Sequence, residues 1–192
     1  MFDGYINKFQ GHYEYTKNQP PSKFLLQALP FVENKSKALD LGAGALVESK
    51  YLLSLGFNVI AVDQEKFPEE IANDKFSFIQ SSFKNYKFPK GGFDLITAQF
   101  SLPFNGKEGF SELWNKIISS LKNNGVFVGQ LFGENDEWNV SGSKLVFHSR
   151  KEVEKLLTGL EIIKLEEIHK DRILSNGKAK HWHVFHIIAR KY

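Results

Sequence analysis

The chain of 192 residues contains no cysteine. Its absence removes disulfides, thiolate nucleophiles and thiolate metal ligands together, and fits a reducing compartment. No run of about 18 apolar residues occurs, so no membrane span is expected. The N-terminus, MFDGYINKFQ, has no cationic patch leading into an apolar core, so no secretory signal is expected and the expected location is cytoplasmic. Charge of one sign is also scarce. The formal net charge is +3, and the lysines of KEVEKLLTGLEIIKLEEIHKDR alternate with acids, the pattern of a solvated surface and not of a nucleic-acid footprint. Tandem repeats and low-complexity tracts are absent. What remains is 42% hydrophobic and 24% charged, enough apolar side chain for one continuous core. One domain is expected over residues 1–192, with 1–36 as a helical N-terminal appendage or lid and 37–192 as the core.

The pattern along the chain alternates strands and helices. After Pro20 and Pro21, Ser22 can cap a short helix with Phe24, Leu25, Ala28 and Leu29 on one face, ending at Pro30 or just after it. KALDL reads as a buried strand, Ala45 to Leu55 as a helix stopped by Gly56, and FNVIAVD as a second buried strand. FSFIQ and FDLITAQF supply the third and fourth strands. Phe110, Leu113, Trp114, Ile117, Ile118 and Leu121 then recur at spacings of three and four, a helix that KNNG is expected to close. GVFVGQLF is strand five, and SRKEVEKLL opens a helix with Ser149 and Glu152 placed for a capping box. Two strands near Leu160 to Ile168 and His181 to Ala189, joined by a turn at SNGK, make an antiparallel pair. Five alternating steps and a hairpin define an α/β three-layer sandwich.

The bend after the first strand, LDLGAGALVES, carries the chemistry. In an open parallel sheet the ligand crevice lies beyond the carboxyl ends of the strands, and the first strand borders it. Gly42 and Gly44, flanking Ala43, can adopt strained dihedrals and admit a ligand to the backbone. Asp63, at the end of the second strand, can take hydrogen bonds from both hydroxyls of a ribose, each worth roughly 1.5–3 kcal/mol; Gln64 follows it. A dinucleotide fingerprint needs a third glycine where Val47 stands, and no lysine with serine or threonine follows the glycines. Asp40 brings negative charge towards the crevice, which repels a pyrophosphate and favours an ammonium or sulfonium. The expected ligand is a nucleoside with a cationic tail, S-adenosylmethionine.

On these residues the chain resembles the class I S-adenosylmethionine-dependent methyltransferases. DLGAGA resembles their first motif, with Ala45 at the third glycine, and VIAVD their second. FDLITAQFSLPF, SSLKNNGVFVGQLF and the final hairpin follow in the family's order, and the ending KHWHVFHIIARK resembles small-molecule enzymes of the tellurite-resistance type. The resemblance runs from about Lys37 to the C-terminus. It implies a Rossmann-like α/β/α sandwich, with a mostly parallel seven-stranded sheet and an antiparallel C-terminal strand. It also implies S-adenosylmethionine as cofactor, S-adenosylhomocysteine as product and a small-molecule methyl acceptor, in a monomer or homodimer with no membrane or nucleic-acid partner. Where the family often places an acid for the adenine amino group, this chain has Ser82 followed by Phe83. Gln99 and Phe100 match cofactor-contacting positions.

Several residues carry open readings. Phe104, in QFSLPF, either covers the cofactor from a turn or belongs with Ser101, Leu102 and Pro103 to a half match of the site that amino-group methyltransferases of nucleic acids carry there. Trp138, in GENDEWN, either flanks the methyl donor or a flat or cationic acceptor or anchors its loop on the core. Tyr13 and Tyr15 are candidate lid residues or ordinary packing. His148 is a candidate general base, since an unperturbed imidazole titrates near neutral pH. His181 and His183 share a strand face, but with His186 on the other face and no evident acidic partner no metal is expected. Glu166 and Glu167 read as a solvated strand face. The rival functions are an RNA or protein methyltransferase and a non-catalytic S-adenosylmethionine-binding protein.

Overall fold

The computed structural model describes residues 13–65, 71–173 and 179–192. Five strands run parallel: β1 (Lys37–Leu41), β2 (Asn58–Asp63), β3 (Phe76–Gln80), β4 (Phe93–Ala98) and β5 (Leu121–Gly133). A two-residue β6 (Phe147–His148) extends the far end of β5. β7 (Leu160–Ile173) pairs antiparallel with β8 (Ala179–Lys191), which pairs antiparallel with β5. The order β3-β2-β1-β4-β5-β8-β7 is the mostly parallel seven-stranded sheet expected, with β8 as its antiparallel member. The winding reverses between β1 and β4, so their carboxyl ends flank the crevice.

Alternation along the strands sends side chains to both faces, and each face is covered by helices. On one, Phe24 and Leu25 of α1 (Lys23–Ala28) and Leu52 of α2 (Val47–Ser54) pack on Ala38, Val59, Leu95 and Val128. On the other, Phe110, Trp114 and Ile117 of α3 (Phe110–Ser120) and Val153 of α4 (Arg150–Leu156) pack on Leu39, Ile96, Phe127 and Ile187. Ser22 caps α1 through the Phe24 N–H, and Pro30 lies in a 3₁₀ turn, Leu29–Phe31, that follows. The Ser149–Glu152 capping box on α4 is complete in both directions.

Three local features depart from the expected pattern. KNNG does not close α3: the helix stops at Ser120, Leu121 already pairs with Phe93, and residues 122–125 bulge before pairing resumes at Leu95 and Val126. Asp94 organises the bulge by accepting from Lys37 N–H at 2.9 Å and Lys122 Nζ at 2.8 Å. Between β3 and β4 the chain crosses without a helix, so the alternation is less regular than five βα steps. The terminal strands run longer than apolar content alone indicates, because cross-strand pairs such as Asp171 and His181 (2.7 Å) continue the ladder through polar residues. The expected SNGK turn lies outside the described residues.

Candidate functional site

The bend after β1 folds back on β2: the Gly42 N–H donates to Val62 O at 2.8 Å. Gly42 has φ +75, and a Cβ there would run into the Ser101 side chain, whose Oγ donates to Leu41 O at 2.6 Å. Glycine is therefore required twice, by dihedral and by space. Gly44 has φ +46 and open space where its Cβ would be. Its N–H donates to Asp63 Oδ2 at 2.9 Å, while Asp63 Oδ1 accepts from Glu65 N–H at 3.0 Å. The glycine bend and the acid thus share one rim, and each carboxylate oxygen keeps a lone pair for a further donor. Gln64 is exposed beside it, and Ala43 is buried with Leu46 and Ala61. Leu46 takes the left-handed conformation at φ 59, a costly one for a branched aliphatic, to turn the chain into α2.

Asp40 is 2% exposed, and its Oδ2 accepts from Ser49 Oγ at 2.6 Å. Burial first, then the nearby charge of Glu48, pushes its pKa up to about 8, against the Ser49 hydrogen bond. At neutral pH this carboxyl is largely protonated, so the fixed negative charge anticipated from the motif is conditional on a cation arriving. Glu48 accepts from the Ser22 N–H at 3.1 Å, tying the cap of α1 to the first turn of α2.

Of the pair after β3, Phe83 is buried with its ring against the Gly42 position, whereas Ser82 closes a turn by accepting from Asn85 N–H. Strand β4 ends at Ala98, and the residues beyond it form a polar relay. Gln99 Nε2 donates to Thr97 Oγ1 (2.9 Å), Gln130 Nε2 donates to Gln99 Oε1 (3.0 Å), and the Phe100 N–H donates to Gln130 Oε1 (2.9 Å). This relay holds Phe100 in a left-handed backbone, φ 52, with its side chain 42% exposed. The role of Gln130 was missed, although a glutamine inside the apolar run GVFVGQLF was its signal.

Next to Phe100 lies an aromatic cluster. Phe132 is 6.4 Å from Phe100, 6.1 Å from Phe104 and 5.9 Å from both Trp138 and Trp182. Beneath the tryptophans, the buried Lys180 Nζ lies 4.2 Å from the Trp138 ring and 3.5 Å from the Trp182 ring, and bonds Asp136 at 2.7 and 2.8 Å. Asp136 also accepts from the backbone N–H groups of Trp138 and His183. This pair was invisible in sequence because its members lie 44 residues apart.

The other candidates are placed as follows. Tyr13 is buried and Tyr15 exposed. His148 is buried against Phe110 at 4.8 Å, while its neighbour Phe147 faces Phe132 at 6.0 Å, so the imidazole sits on the opposite face from the aromatic cluster. Burial lowers its pKa and keeps it neutral.

The hairpin histidines do have acidic partners, contrary to expectation. His183 Nε2 bonds Glu167 Oε1 at 2.9 Å, and Glu167 Oε2 accepts from Arg150 at 3.0 Å, so Glu167 belongs to a network and not to a solvated face. Glu167, His169 and His183 offer ligand atoms within 4.8 Å of one another. Yet His183 Nδ1 accepts from the Asn135 N–H at 3.1 Å, which assigns the proton to Nε2, the atom that a metal would need bare. The cluster is built as a hydrogen-bonded strut.

The comparisons fit this geometry. A family model described as a methyltransferase domain matches residues 39–129, from β1 into β5. No curated protein matches the chain. Among solved structures, the Burkholderia thailandensis 1,6-didemethyltoxoflavin-N1-methyltransferase, with 1,6-didemethyltoxoflavin and S-adenosylhomocysteine bound, superposes with a TM-score of 0.74 at 17% identity, over 98% of this chain and 86% of its own. TehB from Haemophilus influenzae gives 0.73 at 15%, over 96% and 67%. A methyltransferase from Methanosarcina mazei gives 0.62 at 18%, over 90% and 99%. Residues 39–129 are thus similar to a methyltransferase domain, and the solved structures share the fold of the chain. Among the described residues no helix is long and apolar enough to cross a membrane.

Proposed function

We propose that this protein transfers a methyl group from S-adenosylmethionine to a small-molecule acceptor. The observation that carries the reading is the shared rim: the Gly44 N–H bound to the Asp63 carboxylate, with the exposed Phe100 and Phe104 past the end of the adjacent strand β4. Asp63 has the lone pairs to hold ribose hydroxyls, Phe83 offers a ring for adenine, and the buried Asp40 and half-buried Glu48 answer a cationic tail. Bound there, the cofactor supplies an electrophilic methyl carbon on a sulfonium that departs as the thioether of S-adenosylhomocysteine.

The chain's own residues then align the acceptor and exclude water, and such positioning can contribute on the order of 7–11 kcal/mol. No general base is assigned, since His148 lies on the other face. The exposed Phe100 and Phe104 support a small acceptor, as does the likeness to the Burkholderia enzyme, which has 1,6-didemethyltoxoflavin bound. A cytoplasmic setting accords with the cysteine-free sequence.

Calorimetry with S-adenosylmethionine, S-adenosylhomocysteine and NAD, paired with release of S-adenosylhomocysteine across a panel of small acceptors, tests the reading. Binding of the first two and turnover with at least one acceptor are expected. Preference for NAD would overturn it. An affinity for RNA falling linearly in log salt, with methylated RNA as product, would replace the acceptor class.

A further inference from the structure

A polar side chain buried in a parallel sheet is costly unless it finds a partner. Here three of them fall in one line. Asp40 of β1 stands in register with Thr97 of β4, and Thr97 with Val128 of β5; Gln130 follows two residues past Val128, so all three side chains project to the face covered by α1 and α2. Their exposures are 2%, 0% and 0%. Asp40 is held by Ser49 of α2, whereas Thr97 and Gln130 both bond the short stretch that leaves β4.

That stretch is tied at each of its residues. Gln99 is fixed by Thr97 and Gln130, the Phe100 N–H donates to Gln130 Oε1 at 2.9 Å, and Ser101 Oγ donates to Leu41 O at 2.6 Å. Ser101 also fills the space that a Cβ on Gly42 would need. Between these ties Phe100 has φ 52, a conformation that a non-glycine residue keeps only where its surroundings impose it. A glycine would adopt it unaided; the phenylalanine is held there by the Gln130 oxygen. The path from the interior of β5 to the glycine bend is therefore short, running from Gln130 to the Phe100 peptide, then to Ser101, Leu41 and Gly42. We infer that Gln130 is a positioning residue for the S-adenosylmethionine site. Wholly buried, it acts by holding the Phe100 backbone left-handed, which sets Gln99 and Phe100 at the crevice and Ser101 against the glycine bend. The inference rests on the methyl-transfer reading and adds to that site a residue from inside β5.

The test is a double-mutant cycle read by calorimetric titration with S-adenosylhomocysteine, with urea denaturation of each variant alongside. Gln130→Leu keeps side-chain bulk, and the groups it strands belong to the exposed Phe100 and the half-buried Gln99, which water can reach, so folding is expected to survive. It should weaken S-adenosylhomocysteine by about tenfold or more. In a Phe100→Gly background, where the left-handed backbone needs no support, the same substitution should weaken it by less than about threefold. A merely structural Gln130 would lower the urea midpoint equally in both backgrounds and leave affinity alone. The inference is overturned if Gln130→Leu binds within about threefold of wild type, or if its loss is as large in both backgrounds. Gln130→Met, unbranched like glutamine, gives the same cycle should the leucine variant fail to fold. In the ligand-free wild type, hydrogen exchange of the Phe100 amide, read by NMR, should be slowed at least about tenfold relative to an unstructured peptide, and free exchange would also overturn the inference. Failure of S-adenosylhomocysteine to bind the wild type would instead contradict the methyl-transfer reading, with the Phe100 exchange still reporting on the hold exerted by Gln130.

Discussion

The two ends of the crevice are built on different principles. At the β1–β2 end the ligand surface is backbone: glycines with left-handed dihedrals, N–H groups and one carboxylate, all set by a contiguous motif and its nearest neighbour strand. At the β4–β5–β8 end the surface is side chain, with rings and amides brought together from segments far apart in the chain, such as Phe100 and Trp182. The first end has little freedom to vary, because a Cβ at Gly42 meets Ser101. The second is held by replaceable parts around one buried ion pair. Under the proposed function, this difference would separate the part that recognises a constant cofactor from the part free to define an acceptor.

The largest expected effect breaks the second end. Lys180→Met leaves Asp136 buried without its cation and should cost about 3–5 kcal/mol in chemical denaturation, with Trp138 and Trp182 emission shifted. Adding Asp136→Asn should restore part of that loss, since the stranded charge is gone; a double variant no more stable than the single one would contradict the assigned pairing. At the first end, Asp63→Ala should weaken S-adenosylmethionine at least tenfold by calorimetry, since about 1.4 kcal/mol is one decade, and an unchanged affinity in a folded variant would refute the ribose assignment.

A third prediction concerns Asp40. Its pKa is raised from 3.8 to about 8 in the fold. The contribution of this group to stability is therefore fully present below about pH 4 and is lost as pH rises through about 8. Asp40→Asn, which keeps a hydrogen-bonding amide near Ser49, should raise the Tm of the ligand-free protein at pH 9 and leave it nearly unchanged at pH 4. The same substitution should weaken binding of the cationic cofactor. Wild-type binding near pH 7 should release a proton, visible as a dependence of the calorimetric heat on buffer ionisation enthalpy. The smallest effect is a control away from the glycine bend: Ser149→Ala removes the α4 cap at about 1 kcal/mol of stability and should leave cofactor affinity alone.

The contrast also explains what could be read in advance. Strand and helix positions, the glycine bend and the Ser149–Glu152 box rest on spacings within ten residues or so, and the periodicity of each segment states them directly. The acidic partners of His181 and His183, the Lys180–Asp136 pair and the grouping of Phe100 with Phe132 and Trp182 depend on strand register, which no local pattern encodes. KNNG misleads for a related reason: its asparagine and glycine do sit in a turn, with Asn124 at φ 64, but the turn is a bulge inside β5 and not a helix stop. His148 is a candidate general base on residue type alone. In the fold it packs against Phe110, and burial lowers its pKa.

Gln130 has one further implication. Its amide donates a hydrogen bond to Gln99 and accepts one from the Phe100 N–H, so the relay from Thr97 across to β5 has a fixed polarity. A glutamate at 130 could still receive from Phe100 but would face the Gln99 oxygen with a like dipole, and a leucine would leave both ends orphaned. The orientation of an exposed ring at the mouth of the crevice is thus written by the handedness of a single amide in the middle of the sheet.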